Sequence, residues 1–290
     1  MNTKLNIIIL LTLSVVLGSK KKAKSGVDIH IKDSYHPWDA HGEDHIQSKR
    51  PTSSQHLIAE FLLENIHPGD SLDKCIEKFE EFSSRNHMGM TLGNEKGRII
   101  ESSLRQNLFR NDNEHIIIVE FGSHIGDGTL RIIREVAKSG SNKKCTVLSY
   151  ESNQEWLGIG TSLVRHALNA ASETKCKYIP MLLTDDVSHI AEHLKSQFGE
   201  SSISGIFLDH NHAKFYRDIN ILRERKLMRK GTLVMADNAL RHRGVMRSFI
   251  QSMKDHSSKF ELLPVNDPYP DQVLVCEWNE ATKTRATDEL

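Results

Sequence analysis

The chain has 290 residues, and its 38 Lys and Arg balance 38 Asp and Glu, so the formal net charge is zero. That balance excludes a general binder of nucleic acid or other polyanions, which would carry a basic excess. Apolar residues make up 38% of the chain, enough to build the core of one large α/β domain.

The first stretch, "KLNIIILLTLSVVLGS", has a lysine, an apolar run from Leu5 to Leu17, and then the small residues Gly18 and Ser19. That is the layout of a signal peptide, and the run is short for a bilayer-spanning helix. Lys20, Lys21, Lys22 and Lys24 follow at once and oppose translocation. Residues 1–18 therefore read as a signal peptide, with an uncleaved membrane anchor as the alternative. Residues 19–52 are polar and without period, and read as a linker that holds His30, His36, His41 and His45.

From Ser53 the period becomes helical. "SSQHLIAEFLLENI" spaces Leu57, Ile58, Phe61 and Leu62 along one face, and Pro68-Gly69 closes the helix. A second helix, "SLDKCIEKFEEFSSR", has Ser71 as N-cap and Leu72, Cys75, Ile76 and Phe79 on its apolar face. The glycine-rich loop "HMGMTLGNEKG" comes next, and a third helix begins near Arg98. Strands and helices then alternate. Strands are expected at 115–122, 145–152, 176–183, 205–210 and 231–237, with helices near 129–138, 154–171, 186–198, 214–228 and 243–255. Continuous apolar strands separated by helices predict a parallel sheet with both faces covered. "FELLPV" and "DQVLVCEW" are joined only by "NDPYP", so the last pair should be antiparallel. The four cysteines are widely spaced, and Cys145 and Cys176 read as small core residues within strands rather than as a disulfide framework or a zinc site. The residues from 53 to 280 thus form the domain, and 281–290 a tail ending "ATDEL", similar to the KDEL-type retrieval signal. Leader and tail together predict residence in the lumen of the endoplasmic reticulum, with a membrane-anchored form if the leader is retained.

Ligands of such sheets bind at the carboxyl ends of the strands. The first strand ends "VEFGSHIGDG", where Gly122, Gly126 and Gly128 let backbone approach a ligand, without the spacing of a dinucleotide fingerprint. The second ends on Glu151, placed to accept hydrogen bonds from ribose hydroxyls or, alternatively, to face the N-terminus of the following helix. A glycine loop and an acid at the tips of strands one and two favour an adenosine ligand without pyrophosphate, such as S-adenosylmethionine. "GIFLDHNH" and "GTLVMADN" end two further strands on Asp209, Asp237 and Asn238, three hard oxygen donors at one sheet edge.

From Ser53 to Trp278 the chain resembles the catechol O-methyltransferases, a family of S-adenosylmethionine-dependent methyltransferases. The resemblance is carried by "MTLGNEKG", "VEFGSHIGDG", Glu151, "IFLDH" and "LMRKGTLVMADN". It implies a Rossmann-like seven-stranded sheet, mostly parallel, with an antiparallel final pair and helices on both faces. It implies that Leu92, Gly93, Glu120 and Gly122 contact the methionine part of the cofactor. His124 and Gly128 stand where the family has tyrosine and serine, Glu151 would hold the ribose, and Thr184 and Asp185 would lie near the adenine. Asp209 and His210 would border the cofactor, and Asp209, Asp237 and Asn238 would bind Mg²⁺. His212 stands at the position of the family's lysine base, and with Asn238 and Asp267 it would face a small-molecule diol. An imidazole of ordinary pKa, about 6.5, is already largely neutral at pH 7 and can accept a proton there.

The family's flat apolar substrate wall is not matched: Met88, Asn211 and His242 stand in its place, flanked by Arg241 and Arg243. Two functions follow as expectations. One is a Mg²⁺-dependent O-methyltransferase of a catechol-like vicinal diol; the other is a cofactor-binding, catalytically weak protein assisting a partner in the secretory pathway.

Overall fold

The computed structural model describes residues 53–86, 88, 90–108, 115–139, 142–173, 175–266 and 269–279. The leader, the histidine-bearing linker, the C-terminal tail and Asp267 lie outside them. Three helices come first: α1 (Ser53–Asn65), α2 (Leu72–Arg85) and α3 (Gly93–Asn107). The alternation follows as β1 (His115–Phe121), α4 (Asp127–Lys138), β2 (Lys144–Glu151), α5 (Gln154–Ala170), β3 (Cys176–Leu182) and α6 (Val187–Phe198). It continues with β4 (Gly205–Leu208), α7 (Phe215–Glu224), β5 (Leu233–Ala236), α8 (Arg247–Asp255), β6 (Ser257–Val265) and β7 (Asp271–Trp278).

The seven strands form one sheet in the order β3-β2-β1-β4-β5-β7-β6. The first five are parallel, and β7 runs antiparallel to both β5 and β6, as the short last connection requires. The order reverses between β1 and β4, which opens a crevice at their carboxyl ends. Side chains of a strand alternate between faces. Ile116 and Ile118 of β1 join the core under α1 to α5, whereas Ile117, Val119 and Phe121 join the core under α6 to α8. The same parity puts Phe207 of β4 and Met235 of β5 on the first face.

The strand positions agree with the apolar runs; several ends do not. The third helix starts at Gly93, not near Arg98, and β4 and β5 stop at Leu208 and Ala236, short of their acids. Asn238 takes φ +58, a left-handed conformation that turns the chain out of the strand, and turns then fill the stretch up to Arg247. Ser71 caps α2 as expected, accepting a hydrogen bond from the Lys74 amide.

One expectation is overturned. Cys145 and Cys176 form a disulfide, with their Cα atoms 4.5 Å apart. They are direct partners in the parallel register of β2 and β3, a relation that a separation of 31 residues does not reveal. Cys75 and Cys276 are free and buried.

α3 is held over the sheet edge by a charged network. The guanidinium of Arg131, on α4, is buried and donates to Asp127 at 3.0 Å, to Glu101 of α3 at 2.8 Å and to Glu80 of α2 at 2.6 Å. Asp127 also accepts from the Leu92 amide at 3.1 Å, tying the loop before α3 to the first turn of α4. Gly97 has no room for a side chain, since a Cβ there would lie 2.3 Å from the Arg131 guanidinium.

Candidate active site

The carboxyl ends of β1, β4 and β5 bring the site together. Glu120 follows Ile118 in parity, and Asp209 and Asp237 follow Phe207 and Met235, so all three acids are directed toward the face covered by α3 and α4. The ladder extends to them through Asp209 N to Phe121 O at 2.8 Å and Asp237 N to Leu208 O at 3.0 Å.

A narrow crevice opens there, bordered by Leu92, Glu120, Gly122, His124, Gly128 and Asp209 among others. Two glycines make it possible. A Cβ on Gly122, whose φ is +88, would lie 2.3 Å from the Asp209 carbonyl oxygen, and one on Gly128 would lie 2.6 Å from Glu120 Oε1. Glu120 Oε2 accepts from Thr129 at 2.5 Å and Ser149 at 2.7 Å, while Oε1 is buried without a partner. Burial pushes this carboxyl up to about 7. An unpartnered carboxylate oxygen beside a glycine cradle suits a cationic ligand group, and S-adenosylmethionine carries both a sulfonium and an ammonium; the residues present fit that cofactor.

Glu151 ends β2 with its carboxylate accepting from the amides of His124 and Asn153, both at 2.8 Å. Burial holds it above the usual carboxylate range against those two hydrogen bonds. His124 has φ +48; its ring lies edge-on to Trp156 at 4.8 Å and 3.1 Å from the Gln55 amide, and burial pulls its pKa down to about 4. Gln55 and Trp156, from α1 and α5, were not singled out by the sequence, where each reads as one more residue of an amphipathic helix. Leu92 lines the loop side, and Gly93 follows it as the first residue of α3, outside the lining. Thr184 and Asp185 follow β3 and are exposed; Asp185 pairs with Lys214 at 2.6 Å.

On the β4–β5 side, Asp209 is raised well above the usual carboxylate range by burial first and the Asp237 charge second. Asp237 is raised too, mainly by burial. A cation stands beside them: Lys96, from the first turn of α3, has Nζ 2.9 Å from Asp237 Oδ2, 2.9 Å from Asn238 Oδ1 and 3.1 Å from Asp271 Oδ2. Burial opposes its charge, but Asp237 and Asp271 outweigh burial and keep the amine above the ordinary lysine range. Two carboxylates and a carboxamide, two of them crowded enough to repel, form a hard-oxygen donor set that fits Mg²⁺. Among the described residues no cluster of three or more His, Cys, Asp or Glu stands ready for a metal; the third donor here is the amide of Asn238.

Asn238 turns its other amide atom, Nδ2, to His212 Nε2 at 3.2 Å. The His212 ring is stacked on His242 at 3.9 Å, on the side where the resemblance implies an acceptor. Burial chiefly, with His242 and His210 after it, takes His212 down to about 3. His210 is turned away to the other face, where Nε2 pairs with buried Asp218 at 2.8 Å, its ring lies against Phe121 and Phe215, and Nδ1 is buried without a partner. Asn211 caps the short turn at His212–Lys214 through a bond from the Ala213 amide, and Met88 packs on the core below α2.

No protein-family model matches the chain. It is similar to the catechol O-methyltransferase of Bos taurus, 23% identical over 189 residues that make up 65% of this chain and 62% of that protein. It is also similar to catechol O-methyltransferase B of Danio rerio, 25% identical over 191 residues, 66% of this chain and 65% of that protein. The chain thus spans a little under two thirds of the length of these curated relatives. Among solved structures, an O-methyltransferase from Bacillus cereus in complex with SAH superposes with a TM-score of 0.52 at 14% identity, over 77% of this chain and 97% of that one. The fold is that of the class I S-adenosylmethionine-dependent methyltransferases.

Proposed function

We propose that the chain transfers a methyl group from S-adenosylmethionine to a hydroxyl oxygen of a small vicinal diol, with Mg²⁺ at Asp209, Asp237 and Asn238. The observation that carries this is the shared wall: the Gly122 backbone of the cofactor cradle lies directly against the Asp209 backbone of the donor set. Donor and acceptor would then be held side by side, and alignment is the largest contribution a protein makes to such a displacement. When bound, the cofactor supplies an electrophilic methyl group and the metal acidifies and orients the acceptor hydroxyl. Glu120 Oε1 offers its open hydrogen-bonding position to the cofactor's cationic part, Glu151 holds the ribose, and α3 roofs the edge. His212, neutral, would take the hydroxyl proton at Nε2 once the Asn238 amide that now donates to that nitrogen gives way to the acceptor. The similarity to catechol O-methyltransferases supports a catechol-like acceptor.

Calorimetry with S-adenosylmethionine, then transfer of labelled methyl to a panel of diols with and without chelator, tests this reading. Transfer that needs a diol and ceases with chelator is expected. Binding without transfer to any diol would instead support a weakly catalytic partner protein, which the His212–His242 stack on the acceptor side favours.

Changing Glu151 to Ala is expected to weaken cofactor binding by about 1.5–3 kcal/mol, the scale for hydrogen bonds to a charged group. Unchanged affinity by calorimetry would reduce Glu151 to a support for the His124 and Asn153 amides.

The lumen of the endoplasmic reticulum is the proposed location. The Cys145–Cys176 bridge supports it, because disulfides persist in oxidising compartments and are rare in the cytosol. Deleting the last four residues, "TDEL", is expected to raise the secreted fraction in a cell that expresses the full chain. An unaltered distribution, with the protein open to protease in sealed microsomes, would place it elsewhere.

A further inference from the structure

Lys96 has no role in the reading above, yet it is bound where that reading puts a metal. An ammonium has three protons. Here it faces four oxygens: Asp237 Oδ1 at 2.8 Å and Oδ2 at 2.9 Å, Asn238 Oδ1 at 2.9 Å and Asp271 Oδ2 at 3.1 Å. The helix turn that carries it is fixed in place, since the next residue, Gly97, is pressed against the buried Arg131 guanidinium. Asp271 is equally fixed. It is buried, and Oδ1 accepts from the amides of Leu240, Arg241 and Gln272 at 3.3, 3.2 and 2.8 Å. A metal–oxygen bond to Asp237 of about 2.1 Å would leave the metal and the ammonium at most about 5 Å apart on one carboxylate. A dication and an ammonium repel strongly at that range in a partly buried site.

We infer that Lys96 is the resident cation of this donor set, and that a divalent metal enters by displacing its ammonium from Asp237 and Asn238 onto Asp271 alone. The inference rests on the metal reading above. Without metal, the ammonium neutralises Asp237 and keeps the donors in place. With metal, Asp209, Asp237 and Asp271 face one dication and one ammonium, so three formal negative charges meet three positive. The exchange makes metal binding weaker than the donors alone would give, and it makes the site tolerant of metal loss.

The test is a Mn²⁺ titration of the full chain, followed by water-proton relaxation, for wild type, Lys96→Gln and Lys96→Arg. Lys96→Gln is expected to bind about tenfold tighter or more, since one repelling charge is gone, while Lys96→Arg binds as wild type does. Equal or weaker binding by Lys96→Gln would overturn the inference while leaving the metal site standing. No Mn²⁺ binding by any of the three at millimolar metal would overturn the metal site itself, and the inference with it. A measurement on wild type alone covers the case in which the variants do not fold. Acetylation of Lys96, read by mass spectrometry, is expected to run several-fold faster with saturating Mn²⁺ than with chelator, because displacement releases the amine from two of its three partners. An unchanged rate with metal bound would show that the ammonium does not move.

Discussion

Replacing Asp237 with alanine is expected to lower methyl transfer by about 10³-fold or more, the several kcal/mol that a bound metal contributes to such a step. Cofactor affinity should change by no more than about threefold, because the cradle formed by Glu120, Gly122, Gly128 and Glu151 lies on β1, β2 and α4 rather than on β5. Initial rates with labelled cofactor, together with calorimetry on the same preparation, separate the two effects. Near-normal turnover in Mg²⁺ would remove Asp237 from the chemistry. A joint loss of turnover and cofactor binding would mean that the edge had collapsed, since Asp237 also anchors Lys96 and, through it, the start of α3.

Replacing His212 with alanine is expected to reduce turnover by about 10²–10⁴, the usual contribution of a general base. Its pKa determines the accompanying pH profile. With a folded value near 3, the imidazole stays neutral down to that pH, so an acidic limb from His212 falls far below the 6–7 that an ordinary histidine would give. Between pH 5 and 8 His212 adds no limb of its own. So weak a base does not deprotonate an unassisted phenol of pKa about 10, and its competence depends on an acidified acceptor. The linkage to stability has one sign. The unfolded imidazole binds protons from about pH 6.5 downward and the folded one only near 3, so this site's contribution is present above 6.5 and is lost as pH falls through that window. Unaltered turnover in the alanine variant would place the base elsewhere.

The sheet was legible because its strands are buried on both faces and read as unbroken apolar runs: "HIIIVEF", "GIFL" and "LVMA" need no partner to be recognised. The acids at their tips were legible for the same reason, since Asp209 and Asp237 interrupt those runs. What could not be read was what crosses the fold. Lys96 lies 141 residues before Asp237 and 175 before Asp271, and a lysine in a helical first turn reads as a solvated charge. Arg131 shows the same limit: its carboxylate partners come from three helices, and only the packed structure reveals that they converge. The end of β5 depended on a backbone choice at Asn238 that composition does not determine. The environment of His212 was likewise beyond the sequence, because its low basicity comes first from burial and then from a neighbour, His242, 30 positions on and stacked on its ring.

The bond between Cys145 and Cys176 turns the stretch from the start of β2, through α5, to the start of β3 into a covalent ring. Among the described residues β3 is the outermost strand of its side, with β2 as its single neighbour. An ordinary border strand can peel off and offer its free hydrogen-bonding edge to another chain. This one is tethered at the end remote from the ligand crevice, so it cannot leave without dragging α5 along. A protease cut anywhere inside the ring would yield two fragments still joined at one point, next to their native register. The half of the sheet that bears Glu151 thereby keeps its own topology through an event that would dismantle a linear chain.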